Sequence, residues 1–204
     1  MSSTRRNIKA APAPLVCTLY IRPTATRSNW FGALTRYLNL SLEIVDGTGV
    51  ENFAEIFPLH KTPALITDKD VKVTETLAII YYLISISEKK DFLGGNVNET
   101  TQVIRWLAFF NQDFVQVNGD LKFRAKTEED KAKALTALNA LLAYVDNHLA
   151  GNKYIASDRI TVADIFARNI ITGIKGYANY DKYDKINAWL KEISSHPIVQ
   201  ELSK

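Results

Sequence analysis

The chain has 204 residues, 47% hydrophobic, 10% aromatic and 23% charged, with 9 Gly and 6 Pro; these proportions exclude disorder, collagen-like repeats and low complexity. Twenty-five Lys and Arg against 22 Asp and Glu leave a formal charge of +3, too even a balance for direct binding of nucleic acid driven by net charge. A single cysteine, Cys17, rules out an internal disulfide, and the scattered histidines His60, His148 and His196 have no metal-ligand spacing.

The first 42 residues carry six basic side chains and no acid, so the charge asymmetry is local. Residues 1–14 (MSSTRRNIKAAPAP) read as a flexible basic tail. A transit peptide is the alternative, opposed by Pro12 and Pro14, which break the amphipathic helix it needs. LVCTLYI (Leu15 to Ile21) is apolar and β-prone and predicts a buried strand. RPTATRS follows as a loop, and Ser28 is placed to cap a helix from Asn29 to about Asn39, with Trp30, Leu34, Tyr37 and Leu38 on one face. SLEIVD alternates like a strand with Leu42 and Ile44 inward. A short helix over Glu51 to Ile56 leads to Pro58, and ALIT and VKVT, joined by DKD, predict a hairpin. Glu75 to Ile86 reads as a helix apolar nearly all round. Its apolar run from Leu77 is about half the length a bilayer span needs, and the N-terminus has no apolar signal core, so the expectation is a cytoplasmic protein with no membrane contact.

Beyond a linker at residues 88–96 the pattern becomes helical only, over 97–204. Val103, Trp106, Leu107, Phe110, Phe114 and Val117 form one apolar stripe; Leu135, Leu138, Leu142, Val145 and Leu149 form another. The charged segment LKFRAKTEEDKAK between them reads as a solvated turn and first helical turn. A further helix begins at Thr161, and a last one near Tyr183 carries Ile186, Trp189, Leu190 and Ile193. The order βαβ, ββα, then helices predicts an α/β half of thioredoxin-like type over 15–87 and an all-α bundle after it.

This architecture resembles the cytosolic glutathione transferase fold, and three motifs carry the likeness. FPLHKTPAL resembles the segment in which a cis-proline, here Pro63, precedes the third strand. KVTETLAIIYYL resembles the acid and hydroxyl pair that opens the third helix, here Glu75 and Thr76. SDRITVADIFARNII resembles the buried capping motif of a later helix, where Thr161 caps and Asp164 reaches back, a structural role. Within the superfamily, TLYI, FPLHKTPA, KVTETLAIIYYL, FLGG and VIRWLAFFNQD are most similar to the transferase-like N-terminal domain of fungal translation elongation factor 1 gamma subunits. Those subunits continue through a Lys-rich linker into another domain, whereas this sequence stops at Lys204. A stand-alone paralogue, an excised domain and a transferase are thus all open.

The resemblance implies glutathione as ligand or substrate and no other cofactor. Thr62, beside Pro63, would pair through its backbone with the cysteinyl part; Thr76 would take the γ-glutamyl carboxylate and Glu75 its ammonium, while Lys61, where many transferases have Gln, would bind a carboxylate or stay solvent-exposed. Catalysis needs a group that favours the thiolate. Thr26 and Ser28 are the candidates, with Arg22 or Arg27 as a cation in their place, whereas Tyr20 reads as core and Cys17 as a buried, inert thiol. The functions implied are first an interaction module in assembly of the elongation factor 1 complex, and alternatively a transferase conjugating glutathione to hydrophobic electrophiles. A binder of hydrophobic ligands in the cleft between the halves is a third reading. A homodimer, or a heteromer with elongation factor subunits, is expected through the third and fourth helices, whose aromatics are Tyr81, Tyr82, Trp106, Phe109 and Phe110.

Overall fold

The computed structural model describes residues 17–203, so the basic tail assigned to residues 1–14 lies outside the described residues. Four short strands form a sheet of order β2-β1-β3-β4: β1 (Thr18–Ile21), β2 (Glu43–Asp46), β3 (Ala64–Ile66) and β4 (Lys72–Val73). β1 runs parallel to β2 and antiparallel to β3, and β3 runs antiparallel to β4. The register pairs Leu19 with Leu65 and Tyr20 with Ala64. Because side chains alternate across a strand, Leu19 and Leu65 face the main core while Tyr20 and Ala64 join Phe53 and Phe57 on the other side. Tyr20 is therefore a packing residue, its ring centroid 5.4 Å from that of Phe53 and 5.7 Å from that of Phe57.

Three helices complete this half: α1 (Phe31–Tyr37), α2 (Phe53–Ile56) and α3 (Thr76–Ser85). Ile79, Ile80, Leu83 and Ile84 of α3 are fully buried in the same core as Trp30, Phe31 and Leu34. Two expectations need correction here. Ile44 shares the face of Leu19, with which it pairs, but is 36% exposed rather than buried, because β2 lies at the edge of the sheet. Ser28 does not cap α1, whose cap position is Trp30; the Ser28 hydroxyl instead accepts from the Arg22 N–H at 3.0 Å and donates to the Arg22 carbonyl at 2.9 Å. A buried hydroxyl that closes a six-residue loop satisfies two backbone groups that the turn would otherwise orphan.

The helical half comprises α4 (Val97–Phe109), α5 (Val115–Gly119), α6 (Glu128–Gly151), α7 (Val162–Gly173), α8 (Asp184–Glu192) and α9 (Pro197–Glu201). Wide, π-type turns at Phe110–Phe114 and Asp120–Arg124 flank α5. The second is held by Arg124, which donates to Asp120 Oδ1 at 2.6 Å and to the Gln116 carbonyl at 2.7 Å. The Gln116 carbonyl thus accepts from the guanidinium as well as from the Asp120 N–H. The stripe from Val103 to Val117 is buried, and of the second stripe only Leu135 is half-buried. α9 was not expected after the helix near Tyr183: five residues are too few to show a period, and its signal is Pro197 at the first helical turn, with His196 Nδ1 accepting the Ile198 N–H at 3.3 Å.

Four of the five aromatics expected to drive association point inward or pack along the helices. Trp106 and Phe110 are buried, Phe109 is half-buried, and Tyr82 donates to Asp68 Oδ1 at 3.1 Å. Tyr81 is 54% exposed, and Ile86 and Ile104 are exposed as well. Among the described residues no helix is long and apolar enough to cross a membrane.

Thr161 opens α7, and Asp164, fully buried, reaches back as the motif implied. Its Oδ2 accepts from the Thr161 N–H at 2.9 Å and the Thr161 hydroxyl at 3.2 Å; its Oδ1 accepts from the Ile155 N–H at 2.9 Å and Trp189 Nε1 at 3.0 Å. One carboxylate thus ties the 155–161 loop, α7 and α8 together. Burial pushes this carboxyl above its ordinary pKa while the four donors oppose the shift.

Candidate functional site

Three segments converge at one end of the strands, where β1 exits, β3 begins and β4 leads into α3. The chain enters β3 through a cis peptide bond between Thr62 and Pro63, as the resemblance implied. It enters α3 through Glu75, whose φ of 70° and ψ of 124° lie where a non-glycine residue is strained. The third segment is the loop from Arg22 to Trp30 between β1 and α1. Between them lies a cleft open to solvent, lined by Arg27, Phe57, Leu59, Lys61, Thr62, Pro63, Thr74, Glu75 and Thr76.

All five residues assigned to ligand binding, Lys61, Thr62, Pro63, Glu75 and Thr76, are therefore brought together in one cleft. Lys61 and Glu75 are exposed and Thr76 is buried, at the N-terminus of a ten-residue helix. There the first N–H groups lack intrahelical acceptors and favour an anion. Arg27 supplies the second cation. Burial pulls its guanidinium below the ordinary value and the charge of Glu75 pulls it back up, while its buried Nε has no hydrogen-bond partner. A half-buried guanidinium in the lining of a cleft is suited to a carboxylate.

The two candidates for thiol activation are not brought into this lining. Ser28 is fully enclosed and bonded to Arg22. Thr26 faces α7, where its methyl group would lie 2.8 Å from a Cβ on Gly173. Of the two arginines named as substitutes, Arg27 lines the cleft and Arg22 does not. Sequence reasoning missed Phe57, Leu59 and Thr74 as walls; the alternation in FPLH is too short to tell an exposed Leu59 from a buried one. Cys17 is buried, with Sγ 4.0 Å from the Tyr82 hydroxyl, whose pKa burial and the Asp68 bond push up to about 12.

Comparison with known proteins matches residues 15–85 to the glutathione S-transferase N-terminal domain and residues 100–197 to the glutathione S-transferase C-terminal domain. Glutathione S-transferase Y-2 of Pichia kudriavzevii is 35% identical over 188 residues, covering 91% of this chain and 98% of the relative. Elongation factor 1-gamma 2 of Saccharomyces cerevisiae is 29% identical over 199 residues, covering 90% of this chain but 47% of the relative. The crystal structure of a glutathione S-transferase from Pichia kudriavzevii superposes with a TM-score of 0.80 at 33% identity, over 91% of this chain and 95% of that one.

Proposed function

The chain belongs to the glutathione S-transferase family, and on that premise we propose that it binds glutathione in the cleft between the β1–α1 loop, Thr62–Pro63 and the start of α3. The observation that carries the reading is the set of charges around the cleft. Glutathione presents two carboxylates and one ammonium about a central cysteine; the cleft offers Arg27 and Lys61 against Glu75, with the backbone of Thr62 between them. In this reading Thr76 and Arg27 take the γ-glutamyl carboxylate, Glu75 takes its ammonium, Lys61 takes the glycyl carboxylate, and Thr62 pairs with the cysteinyl amide groups as an added strand would.

The role proposed for the bound form is that of a cytoplasmic interaction module akin to the transferase-like domain of elongation factor 1 gamma, contributing to assembly of that complex. It is supported by the Ser28 hydroxyl being bonded to the Arg22 backbone and by the Thr26 side chain lying beside Gly173 of α7, outside the cleft lining. The second reading, a transferase conjugating glutathione to hydrophobic electrophiles, is favoured by the 98% coverage of a relative that is named a glutathione S-transferase. Self-association is proposed through α3 and α4, where Tyr81 and Ile104 are exposed apolar side chains.

One set of measurements tests these readings. The protein is applied to immobilised glutathione, assayed for turnover with an aryl halide, and mixed with purified elongation factor 1 subunits. Retention with elution by free glutathione, weak turnover and a stable complex with those subunits is the expected result. Strong turnover without such a complex reverses the order of the two roles, and no retention removes glutathione altogether. Sedimentation at micromolar concentration reads self-association directly.

A further inference from the structure

The loop that carries Arg27 is held from the helical half. Asn169, on α7 and buried, donates through Nδ2 to the Thr26 carbonyl at 2.6 Å and to Asn29 Oδ1 at 2.9 Å. Trp30 Nε1 donates to the Arg27 carbonyl at 3.1 Å, and the Trp30 ring packs on Phe166, also of α7, with centroids 5.6 Å apart. The carbonyls of Thr26 and Arg27, one on each side of the Arg27 Cα, are thus both fixed by groups on or packed against a single helix. One turn beyond Asn169, Gly173 leaves room for Thr26: a Cβ there would fall 2.8 Å from Thr26 Cγ2.

An amide whose donors both act on one loop, next to a position where any side chain would push that loop away, is more than generic packing. A merely space-filling contact would not need donors aimed at the backbone beside the one arginine in the cleft. From this arrangement we infer that Asn169 is a positioning residue for the ligand cleft: α7 fixes the backbone around Arg27 and so aims its guanidinium into the cleft opposite Glu75. The inference rests on the glutathione reading for its ligand, but the clamp itself has a readout without one. Ser28 and Asn29 N–H groups both donate to the Ala25 carbonyl, so release of the loop exposes them to solvent exchange.

The test uses the full chain with Asn169→Leu, close in volume and unable to donate. Amide exchange at Ser28 and Asn29 is expected to quicken, and glutathione affinity to fall about tenfold, the scale of one misaligned charge-assisted bond. In an Arg27→Ala background the same substitution is expected to change affinity little, because Asn169 then has no guanidinium to aim; a purely structural role would lower affinity equally in both backgrounds. Gly173→Ala should weaken binding in the same way and Thr26→Ala should restore it. Unchanged exchange in Asn169→Leu, or equal losses in the two backgrounds, overturns the inference. If exchange quickens while the wild-type chain itself binds no glutathione, the clamp stands and the glutathione reading is what fails.

Discussion

Replacing Asp164 by Ala removes one side chain and leaves three buried N–H groups, those of Ile155, Thr161 and the Trp189 indole, without an acceptor. The Thr161 hydroxyl can rotate to another partner. Each orphaned buried donor costs about 1–3 kcal/mol, and the carboxylate's own burial cost, which disappears with it, offsets part of the sum. The net expectation is a loss of about 3–5 kcal/mol, enough to lower the thermal midpoint by about 10 °C in a chain of this size. Asp164→Asn keeps one carbonyl oxygen and should lose about 1–3 kcal/mol. Urea denaturation followed by far-UV circular dichroism measures both, with glutathione affinity of each folded variant measured in parallel. The pH signature also has a definite sign. A carboxyl whose folded pKa lies above its ordinary value of 3.8 takes up a proton on folding, so stability declines as pH rises from that value through the folded one, and Asp164→Asn lacks this slope. A loss below about 1 kcal/mol for Asp164→Ala, or a fully stable variant that no longer binds glutathione, would refute the structural assignment.

Three further outcomes are expected. Glu75→Gly relieves the positive φ of 70° and should raise stability by about 1 kcal/mol while weakening glutathione binding; a loss of stability in denaturant titration would show that Glu75 is unstrained. Gly94→Ala places a Cβ 2.5 Å from the Thr100 nitrogen at a φ of 111°, so the start of α4 must shift, at a cost of about 2 kcal/mol or more in the same titration. Burial and the Lys89 charge lower the pKa of His196 from 6.5, so the neutral ring that caps α9 contributes stability above 6.5 that is lost as pH falls through the folded value. Thermal midpoints of His196→Asn, whose side chain can still cap, should show a shallower decline below that pH than wild type.

The architecture was legible because each half announces itself by period. The apolar, β-prone run LVCTLYI, the alternation in SLEIVD, and the three- and four-residue spacing from Val103 to Leu149 follow from backbone geometry that does not depend on the partner surface. The residues of the cleft were legible through the resemblance instead: FPLHKTPAL and KVTETLAIIYYL marked Lys61, Thr62, Pro63, Glu75 and Thr76, which line one cleft. Packing between distant segments left no such mark. Whether Ser28 would cap α1 or close its own loop depended on where the Arg22 backbone came to lie. That Thr26 faces Gly173 while its neighbour Arg27 faces the cleft depended on α7, some 140 residues later, supplying Asn169 to the loop. Local composition determines which elements form; the direction of a loop side chain is decided by which buried donor or acceptor, contributed from far along the chain, takes up its backbone.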